Sequence, residues 1–236
     1  MVDESDLSRE TKWFYEERAR VVIRHLLKKN MNGRYVSDRK EALSTVMSMI
    51  PDGVAVCRGD SVSLEQIGVI DELRKRTQIE FIDGQAKKED GSYAVDAEER
   101  DALYRQAFTA DVFVTGTNAI TLDGKLVNID GHGCRVAPLI FGPKKVVVVV
   151  GANKIARDLD EALERVRQIA APINAQRHYI KHHLEDLAGL PCQRTGKCID
   201  CLHEYRICRA TVIIDGSMPR FKGRINVVLV GEQLGI

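Results

Sequence analysis

The sequence predicts an α/β protein with a mixed, mostly parallel sheet and helices on both faces. Three observations carry this prediction. Apolar runs of strand length alternate with stretches of helical spacing along most of the 236 residues. Val146–Val150 is an unbroken run of valine, the composition of a strand covered on both faces. No internal repeat or low-complexity linker interrupts the alternation. One domain over residues 1–236 is therefore expected, with an N-terminal helical part over about residues 1–50 and a Cys-rich segment inserted over about residues 173–210.

Each element has its own signal. Leu7 to about Lys29 reads as a helix, because Phe14, Val21, Val22 and Leu26 recur at helical spacing and Asn30-Met31-Asn32-Gly33 supplies a stop. Tyr35-Val36 is a short strand. Asp38 and Glu41 form a capping box that opens a helix ending at Ile50, before the turn Pro51-Asp52-Gly53. Val54-Ala55-Val56 is a buried strand, Leu64–Lys75 a helix and Ile79–Ile82 a strand. Lys87–Ala94 is polar and expected to be exposed. Asp96 and Glu99 cap a helix running to Phe108, followed by the strand Val112-Phe113-Val114. Asp123-Gly124 between Ile120-Thr121-Leu122 and Leu126-Val127 is a hairpin signal. Asp158–Ala170 is a helix that should end before Pro172, and Thr211–Ile214 and Ile225–Val230 are the last strands.

Charge and hydropathy narrow the function. Lys and Arg number 35 and Asp and Glu 34, giving a formal net charge of +1. That balance is wrong for a protein that coats nucleic acid or an acidic membrane. The longest apolar run, Val146–Val150, is far short of the roughly 20 residues that span a bilayer. Residues 1–6 are polar and acidic, unlike a signal or transit peptide, so a cytoplasmic protein without membrane insertion is expected.

Four glycine-containing loops follow strands: Arg58-Gly59-Asp60-Ser61, Thr115-Gly116-Thr117-Asn118, Asp130-Gly131-His132-Gly133-Cys134-Arg135 and Gly151-Ala152-Asn153-Lys154. In open α/β sheets ligands bind beyond the carboxyl ends of the strands. Exposed N–H groups and the cations Arg135 and Lys154 would suit a small anion there. The expected contacts are Ser61, Thr117, Asn118, Asp130, Gly131, Gly133, Arg135 and Lys154. Asp130 or Asp123 is a candidate general base, and His132 a candidate acid–base group.

The second candidate site is Cys192-x5-Cys198-x2-Cys201-x6-Cys208. A two-residue spacing lets two thiolates reach one metal or cluster iron, and four thiolates suit Zn²⁺ or a [4Fe–4S] cluster equally. Arg194, Lys197, Arg206 and Arg209 would offset their charge, and His203 is an alternative ligand. His178 and His182 are four apart, which is also ligand spacing. With no Glu at the zincin position, they and His183 are read as a solvated helix face.

Several stretches resemble the lactate-utilisation (LUD) domain family, close to its LutC/YkgG type. They are Ala110–Thr121, Asp123-Gly124, Val127–Gly131, Gly142–Val146, Gly151–Ile155, Ala171–Ala175, Thr195–Cys201 and Arg206–Cys208. The resemblance covers nearly the whole chain. It implies a fold of the ribose-5-phosphate isomerase and CoA transferase type. It also implies a role in oxidation of L-lactate beside iron–sulfur partner proteins, with no proven active site. Cys134 stands where the family usually has Asn, and His132 where it has a small hydroxyl residue.

The leading expectation is a redox-accessory or ligand-binding component of L-lactate or 2-hydroxyacid oxidation, with an iron–sulfur cluster on the four cysteines. The alternatives are a sugar-phosphate or CoA-ester isomerase or transferase, and a non-catalytic binding subunit with structural zinc. A homo-oligomer is compatible with each.

Overall fold

The computed structural model describes residues 5–182 and 189–236. The chain begins with α1 (Ser8–Lys28), β1 (Asn32–Val36), α2 (Arg39–Ser48) and β2 (Ala55–Arg58). It continues through α3 (Val62–Gln66), α4 (Val69–Lys75), β3 (Glu80–Ile82), α5 (Ala97–Gln106) and β4 (Val112–Gly116). Next come β5 (Ala119–Thr121), β6 (Leu126–Asp130), α6 (Val136–Ile140), β7 (Lys145–Gly151) and β8 (Ile155–Ala156). The remainder is α7 (Leu159–Arg165), α8 (Ala171–His182), α9 (Pro191–Thr195), β9 (Ala210–Ile214) and β10 (Ile225–Val230).

Six strands form an all-parallel sheet in the order β1-β10-β7-β4-β2-β3. The valine run of β7 lies inside it and shows why such a strand has no polar face. Val146, Val148 and Val150 enter the cluster that holds Val22 and Leu26 of α1. Val147 and Val149 enter the opposite cluster with Val46, Leu64 and Ile70. Alternate side chains thus bury against helices on both sides, as the period of a strand requires. A smaller sheet of order β8-β5-β6-β9 stands beside the first. Its β5–β6 pair is the antiparallel hairpin around Asp123-Gly124, and α7 covers it through Ala162 next to Ala119 and Val127. No helix among the described residues is long and apolar enough to cross a membrane.

The caps follow the sequence. Asp38 accepts from the Glu41 N–H at 2.8 Å, and Glu41 accepts from the Ser37 N–H at 2.9 Å. Asp96 accepts from the Glu99 N–H at 2.9 Å.

Two readings need correction. The helix expected over Leu64–Lys75 is two helices, because Gly68 at φ 78° sits in the left-handed region that ends α3 and starts α4. The helix expected to stop before Pro172 does not stop. Val166–Ala170 forms a π turn, and α8 carries on through Pro172. A π turn shifts the hydrogen-bond register by one residue, so the missing proline N–H is accommodated without ending the helix. The Cys-rich segment begins within this helix and leads into β9, which pairs with β6 in the smaller sheet. Lys87–Ala94 is largely exposed, as its polarity predicts, and a bridge between Lys87 and Tyr93 folds it on itself.

Asp38→Ala should lower stability, because it removes the N-cap acceptor of α2. Urea unfolding checks this, with a shifted midpoint and an unchanged slope as the expected result.

Candidate ligand cleft and cysteine hollow

In the large sheet β2 has β3 on one side and β4 on the other, so the strand order reverses there. The carboxyl ends of strands at such a point leave a crevice between the departing loops. A cleft of about 1380 Å³ occupies this place. Ser61, Thr117, Asn118, Asp130, Gly131, Gly133, Arg135 and Lys154 all line it, as do His132 and Cys134. Asp123 does not. It sits in the β5–β6 turn, where Thr121, Lys125 and Lys29 hold its carboxylate, with the pKa pushed down to about 2. That removes it as a general base.

The lining residues divide by what their polar atoms are doing. Arg135 is an internal clamp. Its guanidinium donates to Asn128 Oδ1 at 2.6 Å, to Asn118 Oδ1 at 3.0 Å and to the Ile129 carbonyl at 2.7 Å, while Nε lies 3.5 Å from Asp130. Asn118 Oδ1 also accepts from the Ile129 N–H at 2.9 Å. Asp130 accepts from the Gly133 N–H at 2.7 Å, which fixes the turn of its own loop. Thr117 Oγ1 lies within hydrogen-bond reach of the carbonyls of Ala119 and Val127. These groups shape the cleft and hold its loops together.

Lys154 differs from them. It is 4% exposed, and its ammonium donates to Ser63 Oγ at 3.0 Å. Among the described residues no carboxylate lies within 4.0 Å of it. Burial, then the nearby guanidinium groups of Arg165 and Arg135, push its pKa down to about 7. Arg165 is held by the carbonyls of Asn118 at 2.7 Å and Asn153 at 3.0 Å. The chain must also pass close over Lys154. Gly235 lies at φ 64°, and a Cβ there would sit 2.7 Å from Lys154 Nζ and 2.5 Å from Ser63 Oγ.

Sequence reasoning missed a second charged group on the cleft wall. Asp60 takes a two-armed hydrogen bond from Arg177, at 2.8 and 3.0 Å, with Lys181 and His178 each at 3.8 Å. Burial opposes the charge on Asp60, but Arg177, Lys181 and His178 outweigh it and hold the carboxyl well below its usual range. His178 was expected on a solvated face. It faces the cleft instead, and burial pushes its pKa down to about 4. His182 ends α8, and His183 lies outside the described residues. The i, i+4 spacing of Arg177 and Lys181 puts both on one face of the expected helix, but it does not say that this face meets the cleft.

The four cysteines of the C-terminal third line one small hollow of about 30 Å³, walled by apolar groups that include Pro172, Leu190 and Ile199. All are free thiols. Burial, then the neighbouring thiols, raises the pKa of Cys192. Burial also raises that of Cys208, against the pull of Arg206. Four thiols around one hollow are the donor chemistry of a tetrathiolate centre. They are not drawn to coordinating distance, since no group of three or more His, Cys, Asp or Glu among the described residues is placed to hold a metal ion. Ala171, Arg206 and Ile207 line both the hollow and the cleft.

A family model described as the LUD domain matches residues 19–230. The chain belongs to the LUD domain family. The family is associated with lactate utilisation, which sets the broad functional class of this LUD domain. A DUF162 family protein from Deinococcus radiodurans shares its fold, with a TM-score of 0.50 and 12% identity over 92% of this chain and 97% of that one. Ribose 5-phosphate isomerase A from Neisseria gonorrhoeae gives 0.38 at 13% identity, over 84% and 94% of the two chains. Ribose 5-phosphate isomerase from Plasmodium falciparum gives 0.31 at 15%, over 50% and 52%. No curated protein matches the chain.

Lys154→Met should stabilise the LUD domain at and below neutral pH, by a few kcal/mol at most, because it removes a buried cation without a counter-charge. The native lysine has a pKa below its unfolded value. The unfolded chain therefore binds the extra proton from about pH 7 up to the ordinary lysine range. Wild-type stability should rise with pH across that window, and the variant should lose the rise. Thermal unfolding at several pH values measures both effects.

Proposed function

We propose that this LUD domain is a ligand-binding or redox-accessory component of L-lactate or related 2-hydroxyacid oxidation. Its inner cleft takes the carboxylate of a small anion, and Cys192, Cys198, Cys201 and Cys208 hold a metal centre. The observation that carries the reading is Lys154, a buried cation facing the cleft with a hydroxyl for a partner and, among the described residues, no carboxylate. An arriving carboxylate would supply the missing charge and draw the proton onto Nζ. Arg135 and Arg165, spent on amide and carbonyl oxygens, keep their charge and add to the field. Ser61, Thr117, Gly131 and Gly133 line the same cleft, and Asn118 and Asp130 hold its loops.

At the cysteines an iron–sulfur cluster would supply single-electron transfer to iron–sulfur partner proteins, and zinc in its place would only brace the segment. Four free thiols around one hollow support a metal, and the basic neighbour Arg206 suits a thiolate site.

The test joins binding to metal analysis. Protein prepared without air, with iron and sulfide supplied, should carry iron and a broad visible absorption band that Cys198→Ser abolishes. A colourless protein with bound zinc would move the reading to the structural alternative, and neither metal would end it. Calorimetry with L-lactate and pyruvate should show affinity falling as the pH rises above about 7, because binding requires the Lys154 proton. Lys154→Met should weaken both ligands by about tenfold or more.

A further inference from the structure

The cleft is far larger than a three-carbon acid requires. Its volume of about 1380 Å³ exceeds the roughly 300–1,000 Å³ of ordinary small-molecule pockets. Its lining is also basic beyond the rest of the chain. Nine Lys and Arg face five Asp and Glu among the described lining residues, in a protein whose formal net charge is +1.

These cations form two groups. The inner one is Lys154 and Arg135, backed by Arg165. The outer one is Lys87, Arg100, Arg177 and Lys181, brought from different elements onto one wall. Lys87 Nζ lies 3.2 Å and Arg100 Cζ 4.0 Å from the centroid of the Tyr93 ring, which places both against the same aromatic group. Arg177 and Lys181 share Asp60. Burial lowers the pKa of Lys87, and Lys181 and Arg100 lower it further, so these cations are held close enough to repel. Crowded cations beside an open cavity are stabilised by a ligand that carries several negative charges. Tyr93, Tyr104 and Phe108 line the same cleft and offer flat apolar surface.

We propose that the cleft is built for an extended organic diphosphate of nucleotide size, with its phosphates at Lys87, Arg100, Arg177 and Lys181 and an acyl or carboxyl end at Lys154. The assignment of the acid end rests on the reading given under Proposed function. The outer phosphate station rests on the second cation group alone. The small acid of that reading is then one end of the natural ligand or occupies the inner station by itself.

Titration calorimetry with ADP, inorganic pyrophosphate and L-lactate tests the proposal. ADP and pyrophosphate should bind at least about tenfold more tightly than L-lactate and weaken steeply with added salt. Arg100→Gln with Lys181→Gln should weaken ADP by about tenfold more than it weakens L-lactate, and Arg100→Lys with Lys181→Arg should restore ADP binding. Restoration separates loss of charge from loss of fold. If L-lactate binds while ADP and pyrophosphate bind no better, the diphosphate station is wrong and the inner-anion reading stands. If the double variant weakens both ligands alike, the two-station geometry is wrong. If ADP binds and L-lactate does not, the acid reading fails and the phosphate station survives. If nothing binds, both fall.

Discussion

Arg135 is held in the interior by side-chain amides and a backbone carbonyl, with a single carboxylate at the longer distance of 3.5 Å. A guanidinium cannot shed its proton, so burying it commits the fold to keeping a positive charge at that point. The hydrogen bonds supply the geometry that makes the burial tolerable. They also join the end of the β4 loop through Asn118 to β6 through Asn128 and Ile129. The boundary between the two sheets is thereby tied by one side chain. The cleft opens along that boundary, and the electrostatics of its inner end follow from the same commitment. Lys154, buried and then flanked by the guanidinium groups of Arg165 and Arg135, is held near the point of losing its own proton.

The outer wall rests on a different economy. Asp60 is a single carboxylate shared among Arg177, Lys181 and His178. Sharing leaves the group cationic while satisfying the strongest donor with two-armed geometry. The π turn contributes by allowing α7 and α8 to run on without a break, so one continuous helical stretch carries Arg165, bound to the carbonyls of Asn118 and Asn153, and Arg177 on the cleft lining. π turns are frequent at functional sites, and here the turn lies between the helix that carries Arg165 and the one that carries Arg177.

The fold was legible because its main signals are local. The valine run, the Asp-x-x-Glu caps and the Asp-Gly hairpin each have a short-range physical cause, and each sits where it was read. The inner cleft was legible from the topology rule, which puts loops after parallel strands on one side. Lys87, Arg100, Arg177 and Lys181 were not, since nothing in their spacing says that a polar segment, α5 and α8 meet around one cavity. Pro172 misled for a related reason. Its usual meaning is a helix stop, and only the preceding π turn changes that meaning. Arg135 was expected to touch ligand, whereas most of its donors are used within the chain. Hydrogen-bond partners at that sequence distance are set by packing and carry no local signature.

The common wall of Ala171, Arg206 and Ile207 has a thermodynamic consequence. Gly131 in the cleft packs on the backbone of Ile207, next to Cys208 in the hollow. An occupant of the hollow that drew the thiols inward would pull on residues that also bound the cleft. Equilibrium linkage then runs both ways, so a molecule seated in the cleft alters the grip of the thiols by the same factor as they alter its own.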